Sequence, residues 1–201
     1  AVIFVTFVAV AGFARIFGST TMSVAWLLAL VALPVVAMGV WEDVTRSVRP
    51  RYRIFAAIVS AAIASAAVGG IVPRVDVAAI DRLLVFGWIA LPLTWFMVAG
   101  ACNAVNLIDG ANGLAGGTSF IMFGGIALMA GIGGDAVTLA PALAMMGALA
   151  GFLFWNYPRG RVFLGDAGAY FVGFMYAELS MQLVARNDAI SAWYVIMLAG
   201  Y

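Results

Sequence analysis

The sequence predicts an all-α, polytopic transmembrane helical bundle, and three observations carry that reading. Of 201 residues, 66% are hydrophobic and only 9% charged, where a water-soluble domain carries about 25% charged residues; the mean hydropathy is +1.12. The apolar residues fall in unbroken runs long enough to cross a hydrocarbon core of about 30 Å. The runs do not alternate apolar with polar, so they are helices and not barrel strands, because hydrocarbon offers no partner to an unpaired backbone group.

Along the chain, a partial run over 1–14 is ended by Arg15. Full runs follow over 18–41, 54–73, 83–108, 110–134, 136–158 and 167–185, the last interrupted only by Glu178, and a second partial run starts at Ala189. That makes about six full spans and two partial ones in one transmembrane domain, with no linker, low-complexity tract or internal repeat. Both ends fall inside apolar runs, so the sequence reads as truncated at both ends. The opening run lacks the basic start and cleavage pattern of a signal peptide.

A net charge of +1 disfavours a nucleic-acid partner. With no histidine and one cysteine, Cys102, there is no imidazole base, His-based metal site, Ser-His-Asp triad or internal disulfide. Chemistry must run on carboxylates, amides and arginines. By parity the loops after the 18–41, 83–108 and 136–158 runs share one face. That face holds Arg46, Arg49, Arg51, Arg53, Arg159 and Arg161, and the other holds Arg15, Arg74, Arg82 and Arg186, so the first is expected to be cytoplasmic. Three polar segments meet there.

The first is NAVNLIDGANGL over 103–114, in which Asn103, Asn106, Asp109 and Asn112 recur every third residue and Gly110 and Gly113 loosen the backbone. Amides at membrane depth belong in a protein interior or a watery cleft; interhelical bonding plus a glycine turn is the plain alternative. The second, NYPRGRVFLGDAG over 156–168, joins two spans. Its Asp166 is placed to cap the helix starting at residue 167, or to hold magnesium and phosphate beside Gly165 and Gly168. Arg159 and Arg161 read as orientation signals or as phosphate binders. The third begins with Glu42 and Asp43 and runs on into Arg46, Arg49, Arg51 and Arg53, a set that suits anionic headgroups or a lipid phosphate. Taken together, Glu42, Asp43, Asp109 and Asp166 are hard oxygen donors of the kind magnesium takes, and magnesium points to phosphate chemistry. Glu178, mid-span with Gln182 one turn on, is expected to pair with a neighbouring helix. Asp76, Asp81 and Asp135 are expected to be solvated loop residues on the opposite face.

These segments resemble the polyprenyl-phosphate N-acetylhexosamine-1-phosphate transferases, the membrane family that includes phospho-N-acetylmuramoyl-pentapeptide transferase and the undecaprenyl-phosphate GlcNAc-1-phosphate transferases. Residues 103–117 are similar to the family's Asn-x-x-Asn-x-x-Asp-Gly-x-Asp-Gly-Leu motif, and 156–168 to its Asn…Val-Phe-Met/Leu-Gly-Asp-x-Gly motif. Glu42-Asp43 stands where the family carries Asp-Asp. The resemblance implies magnesium-dependent transfer of a sugar-1-phosphate from a UDP-N-acetylhexosamine to polyprenyl (undecaprenyl) phosphate, releasing UMP, at the cytoplasmic side of a bacterial inner membrane.

It also implies roles. Asp166, with Asp43, would bind the metal, and Glu42 and Asp43 would supply a base or phosphate-orienting acid. Asp109 would join the catalytic set, with Asn103, Asn106, Gly110, Asn112 and Asn156 lining the substrate pocket and Phe163 packing on uracil or anchoring its loop at the interface. The partners would be the UDP-sugar, the polyprenyl phosphate and the lipid bilayer, with a homodimer left open. The sequence departs from the pattern at Glu42, one methylene longer than Asp, and at Asn112, where an aspartate is common. The family's N-terminal segment and its later basic or histidine-containing motif lie outside residues 1–201. Asn112 and the GDAGAY run look more like the surface-polysaccharide branch than the peptidoglycan branch.

A transporter is the alternative class, and predicts polar residues at the bilayer midplane and repeat symmetry. A CDP-alcohol phosphotransferase would need an Ala-Arg pair soon after Asp-Gly, where this chain has Asn112-Gly113-Leu114. A membrane scaffold would need neither Asp109 nor Asp166.

Overall fold

The computed structural model describes residues 2–16 and 22–198, and these are helical without a strand. The helices are α1 (Val2–Ile16), α2 (Met22–Val31), α3 (Leu33–Thr45), α4 (Pro50–Ala67), α5 (Ala78–Leu84), α6 (Gly87–Ile108), α7 (Leu114–Ile132), α8 (Ala136–Asn156), α9 (Gly165–Arg186) and α10 (Ala192–Leu198). The all-α membrane bundle read from the sequence is what forms.

The span count differs. Among the described residues three helices, α6, α7 and α8, are long and apolar enough to cross a bilayer, and α2 with α3, bent by 47° at their break, makes a fourth. The bend has a local cause: Pro34 enters the first turn of α3 and cannot donate a backbone bond. The Val35 amide donates instead to Ser60 Oγ of α4 at 3.1 Å. The 54–73 run stops being helical at Val68, before Gly69 turns left-handed at φ 70. Its irregular tail is satisfied by side chains: Ser65 Oγ donates to Gly70 O at 2.9 Å, and Val72 N donates to Thr94 Oγ1 at 2.9 Å. Such backbone is tolerated at membrane depth only when enclosed in this way.

Helix α9 explains the rest of the shortfall. It carries Asp166, Glu178 and Arg186, yet every residue from 167 to 184 except Ser180 is buried. Surrounded by α1, α3, α4, α6, α7 and α8, it needs no lipid-facing stripe, so its composition understates how deep it sits. Two glycines admit the neighbours. A Cβ on Gly39 of α3 would lie 2.6 Å from Ala167 N, and one on Gly173 of α9 would lie 2.6 Å from both Ala101 O and Cys102 Cα of α6. Small residues at such crossings let helix backbones touch. Gly173→Ala should therefore destabilise the protein by about 1–3 kcal/mol, since overpacking outweighs the helix-propensity gain of about 1 kcal/mol; a lowered melting temperature in detergent would check this.

Glu178 departs from its expected pairing. It is 0% exposed, neither carboxyl oxygen has a hydrogen-bond partner among the described residues, and its carboxyl abuts Gly70. The opposite-face acids are also more than solvated. Asp76 accepts from Ala192 N at 2.7 Å and from Ser191 Oγ at the start of α10, and Asp135 caps α8 by accepting from Val137 N and Thr138 N at 3.2 Å. Asp81 accepts from Val75 N at 2.7 Å. Arg74 pairs with Asp76 at 2.9 Å and donates to Ile190 O at 2.8 Å, joining the 69–77 segment to the chain after α9.

Candidate active site

The parity argument holds: residues distant in sequence meet at one end of the bundle, around the first turn of α9. Gly165 opens that helix at φ 68, and a Cβ there would lie 2.8 Å from Asp43 Oδ2, so backbone conformation and clearance both demand glycine. Leu164, the residue before it, provides no side-chain cap. Asp43 reaches across from the end of α3 instead. Its Oδ1 accepts from Asp166 N at 2.7 Å and its Oδ2 from Ala167 N at 3.2 Å, which satisfies free donors at the positive end of the helix dipole. The cap expected of Asp166 is thus supplied by Asp43.

Relieved of that task, the Asp166 carboxylate turns to side chains. Oδ1 accepts from Asn106 Nδ2 of α6 at 3.0 Å, and Oδ2 pairs with Arg53 Nη1 of α4. Asp109 ends α6 as its C-terminal cap residue. Burial first, and then the negative charges of Asp166 and Asp43, push its carboxyl above the ordinary carboxylate range, while the Gly165 amide pulls it back. Three carboxylates, one amide and one guanidinium therefore form the centre.

Because the folded state holds the Asp109 proton more tightly than the unfolded chain does, stability is lost as pH rises through that raised value. Asp109→Asn should melt above wild type at about pH 7, with the gap closing toward about pH 4; thermal melts without divalent cations would show it.

The other expected site residues serve the frame around this centre. Asn103 donates to Ala99 O at 2.7 Å and accepts from the Tyr170 hydroxyl at 2.9 Å, bonding α6 to α9. Asn156 is buried; its Oδ1 accepts from Gly113 N at 2.6 Å and its Nδ2 donates to Val162 O at 2.8 Å, which ties together the loops before α7 and α9. Asn112 donates to Pro158 O at 3.3 Å. Glu42 closes the turn after α3 by accepting from Val48 N at 2.7 Å. Gly110 is exposed with open space around it, and Phe163 is 72% exposed on the loop leading to Asp166.

The sequence does not single out two residues that the structure brings to this centre. The sequence groups Arg53 with Arg46, Arg49 and Arg51 as arginines for anionic headgroups or a lipid phosphate, without separating it from them; those three are exposed, but Arg53 turns inward. The signal was its register: Arg53 lies 4, 8 and 11 residues before Ala57, Ala61 and Ala64, which are buried, so it sits on the inner stripe of α4. Tyr170 is one turn after Asp166 on the same face of α9, with the Arg53 Cζ 5.9 Å from its ring centroid.

A family model described as glycosyl transferase family 4 matches residues 24–184, most of the chain. The chain belongs to glycosyl transferase family 4. Among curated relatives, a probable undecaprenyl-phosphate N-acetylglucosaminyl 1-phosphate transferase of Bacillus subtilis (strain 168) is 43% identical over 95 residues, covering 47% of this chain and 26% of that protein. A phospho-N-acetylmuramoyl-pentapeptide-transferase of Oceanobacillus iheyensis is 45% identical over 98 residues, covering 48% of this chain and 30% of its own length. One of Frankia casuarinae is 36% identical over 129 residues, covering 55% and 36%. The chain thus matches about a third or less of the length of these family members. The family match takes in all three polar segments that build the carboxylate centre.

Proposed function

We propose that this family 4 chain carries out magnesium-dependent transfer of an N-acetylhexosamine-1-phosphate, with GlcNAc-1-phosphate first among candidates, from a UDP-sugar to polyprenyl phosphate at the cytoplasmic face of a bacterial plasma membrane. The observation that carries the reading is the meeting of Asp43, Asp109 and Asp166 with Arg53 at one end of the bundle. A transporter would concentrate such groups at the midplane.

The donor set fits magnesium in its chemistry. Asp109 and Asp166 are oxygen ligands that oppose each other electrostatically, and magnesium is commonly held by one or two carboxylates together with substrate phosphates and water. No group of three acidic side chains among the described residues is close enough to cage an ion, and Asp43 is bound to backbone amides that hold the start of α9, whereas Asp166 is bound only by side chains, Asn106 and Arg53, that can yield to an ion. Asp166 and Asp109 would therefore hold the ion, with Asp43 fixing the helix end that presents Asp166. The ion would supply charge neutralisation at phosphate oxygens.

The chain's own groups do the rest. Arg53 adds a fixed positive charge for phosphate oxygens, and Asn106 orients the Asp166 carboxylate. An oxygen of the lipid phosphate attacks the β-phosphorus of the UDP-sugar, the bond to the α-phosphate breaks, and UMP leaves. The attacking phosphate is ionised near neutral pH, so positioning suffices and no acyl-phosphate enzyme is needed. Radiolabelled phosphate trapped on Asp43, Asp109 or Asp166 without lipid acceptor would overturn direct attack.

The test is UMP release in detergent from UDP-GlcNAc or another UDP-hexosamine, with and without polyprenyl phosphate and magnesium. Release that needs both lipid and metal supports the reading. If no donor gives lipid-dependent UMP with folded protein, the reading fails and transport assays take its place.

A further inference from the structure

The Arg53 guanidinium, with its side chain 18% exposed, makes one ion pair and leaves a buried donor without a partner among the described residues. Nη1 pairs with Asp166, and the unpartnered donor is Nε. What lies against the guanidinium is the Tyr170 ring, with Arg53 Cζ 5.9 Å from the centroid. A planar guanidinium over an aromatic face is attracted by the ring quadrupole and keeps edge donors for a carboxylate or a pair of phosphate oxygens.

That ring is fixed on every side. Tyr170 is 2% exposed, and its hydroxyl donates to Asn103 Oδ1 at 2.9 Å. Asn103 is in turn fastened to its own helix through Ala99 O. Tyr170 also follows Asp166 by one helical turn, so ring and carboxylate share one face of α9. One element therefore carries both the acid that pairs with Arg53 and the surface on which Arg53 lies, while α6 locks that surface through Asn103.

We infer that Tyr170 is a positioning residue for phosphate recognition: its ring holds the Arg53 guanidinium beside Asp166 with edge donors directed at the phosphate of the acceptor lipid, and its bond to Asn103 keeps the ring from turning. The inference rests on the transferase reading and deepens it. Phenylalanine at this position keeps the face and loses only the tether; leucine loses both. Ionic attraction to Asp166 alone would then leave Arg53 free to move among rotamers.

The experiment is a mutant cycle on UMP release, reading kcat, donor KM and acceptor KM for wild type, Tyr170→Phe, Tyr170→Leu, Arg53→Ala and Tyr170→Leu with Arg53→Ala, with thermal melts alongside. Tyr170→Phe should lose about twofold in kcat/KM for the acceptor, the cost of the tether alone, and Tyr170→Leu about fivefold, the size of a partly desolvated cation–π contact, with donor KM unchanged. On the Arg53→Ala background Tyr170→Leu should cost nothing further, because the two act as one unit. Losses that multiply across the cycle, an equal fall in Tyr170→Phe, or a rise in donor KM alone would overturn the role assigned to Tyr170. If Tyr170→Leu does not fold, Tyr170→Met, unbranched, flexible enough to fill the gap and without a ring, takes its place in the cycle. Wild type that releases no lipid-dependent UMP brings down the transferase reading itself, and this inference with it; an active wild type with multiplying losses overturns this inference alone.

Discussion

Asp166→Asn should reduce lipid-dependent UMP release by about 10³-fold, the scale at which losing one aligned electrostatic group in an enclosed site slows a reaction. The substitution is nearly isosteric. An asparagine there keeps one acceptor oxygen, enough for Arg53 or Asn106 but not both, and the cap that Asp43 puts on the Asp166 and Ala167 amides is untouched, so α9 should start in the same place. What disappears is the negative charge. The melting temperature should move by only a few degrees, because the ion pair with Arg53 is partly exposed and worth about 1 kcal/mol or less. UMP release together with a melt separates the two quantities. An inactive variant with a near-native melt identifies a charge needed for chemistry, whereas residual activity above about a tenth of wild type would remove Asp166 from the centre of the mechanism.

Asp43→Ala should do two things at once. It strips the cap from α9, leaving the amides of Asp166 and Ala167 without their acceptor, at a cost of about 1–2 kcal/mol. It also frees the turn that carries Asp166, and a displaced catalytic group commonly costs about 10²-fold in rate. Asp43→Asn is the discriminating partner. Its side-chain oxygen can accept one of the two amides, so it should recover most of the stability and part of the activity. If both variants were inactive and Asp43→Asn melted like wild type, Asp43 would be needed for its charge and not as a cap.

The fold was readable because a bilayer enforces a simple rule on composition. Runs of uncharged residues marked α6, α7 and α8 to within a few residues. The rule fails where a helix has no lipid to face: α9 was counted as an ordinary span, although its polar residues are tolerated only because other helices enclose it. It fails again at 69–73, an apolar stretch whose glycines and proline take it out of helical conformation while Ser65 and Thr94 supply the missing bonds.

For the site, parity alone placed Glu42-Asp43, 103–112 and 156–166 at one end, since topology is discrete. The division of labour among those residues was not legible. Whether a carboxylate caps a helix or faces a ligand depends on which α9 amides lie within 3 Å or so of it, and that is a tertiary fact: Asp43, 123 residues before Asp166, does the capping. Asn156 and Asn103 look like ligand amides in a motif, and in the folded chain they bond neighbouring loops and helices.

The enclosure of α9 has a consequence for the membrane around it. Bilayers differ in thickness, and a protein accommodates a mismatch by tilting the helices that touch lipid. Here α9, whose first turn carries Asp166, touches almost none, while α6, α7 and α8 form part of the surrounding layer. When the lipid thins or thickens, the outer helices lean while the central one stays upright, so Asp166 keeps its place and its spacing to Asp109, which ends α6, is the part of the centre that membrane thickness can change.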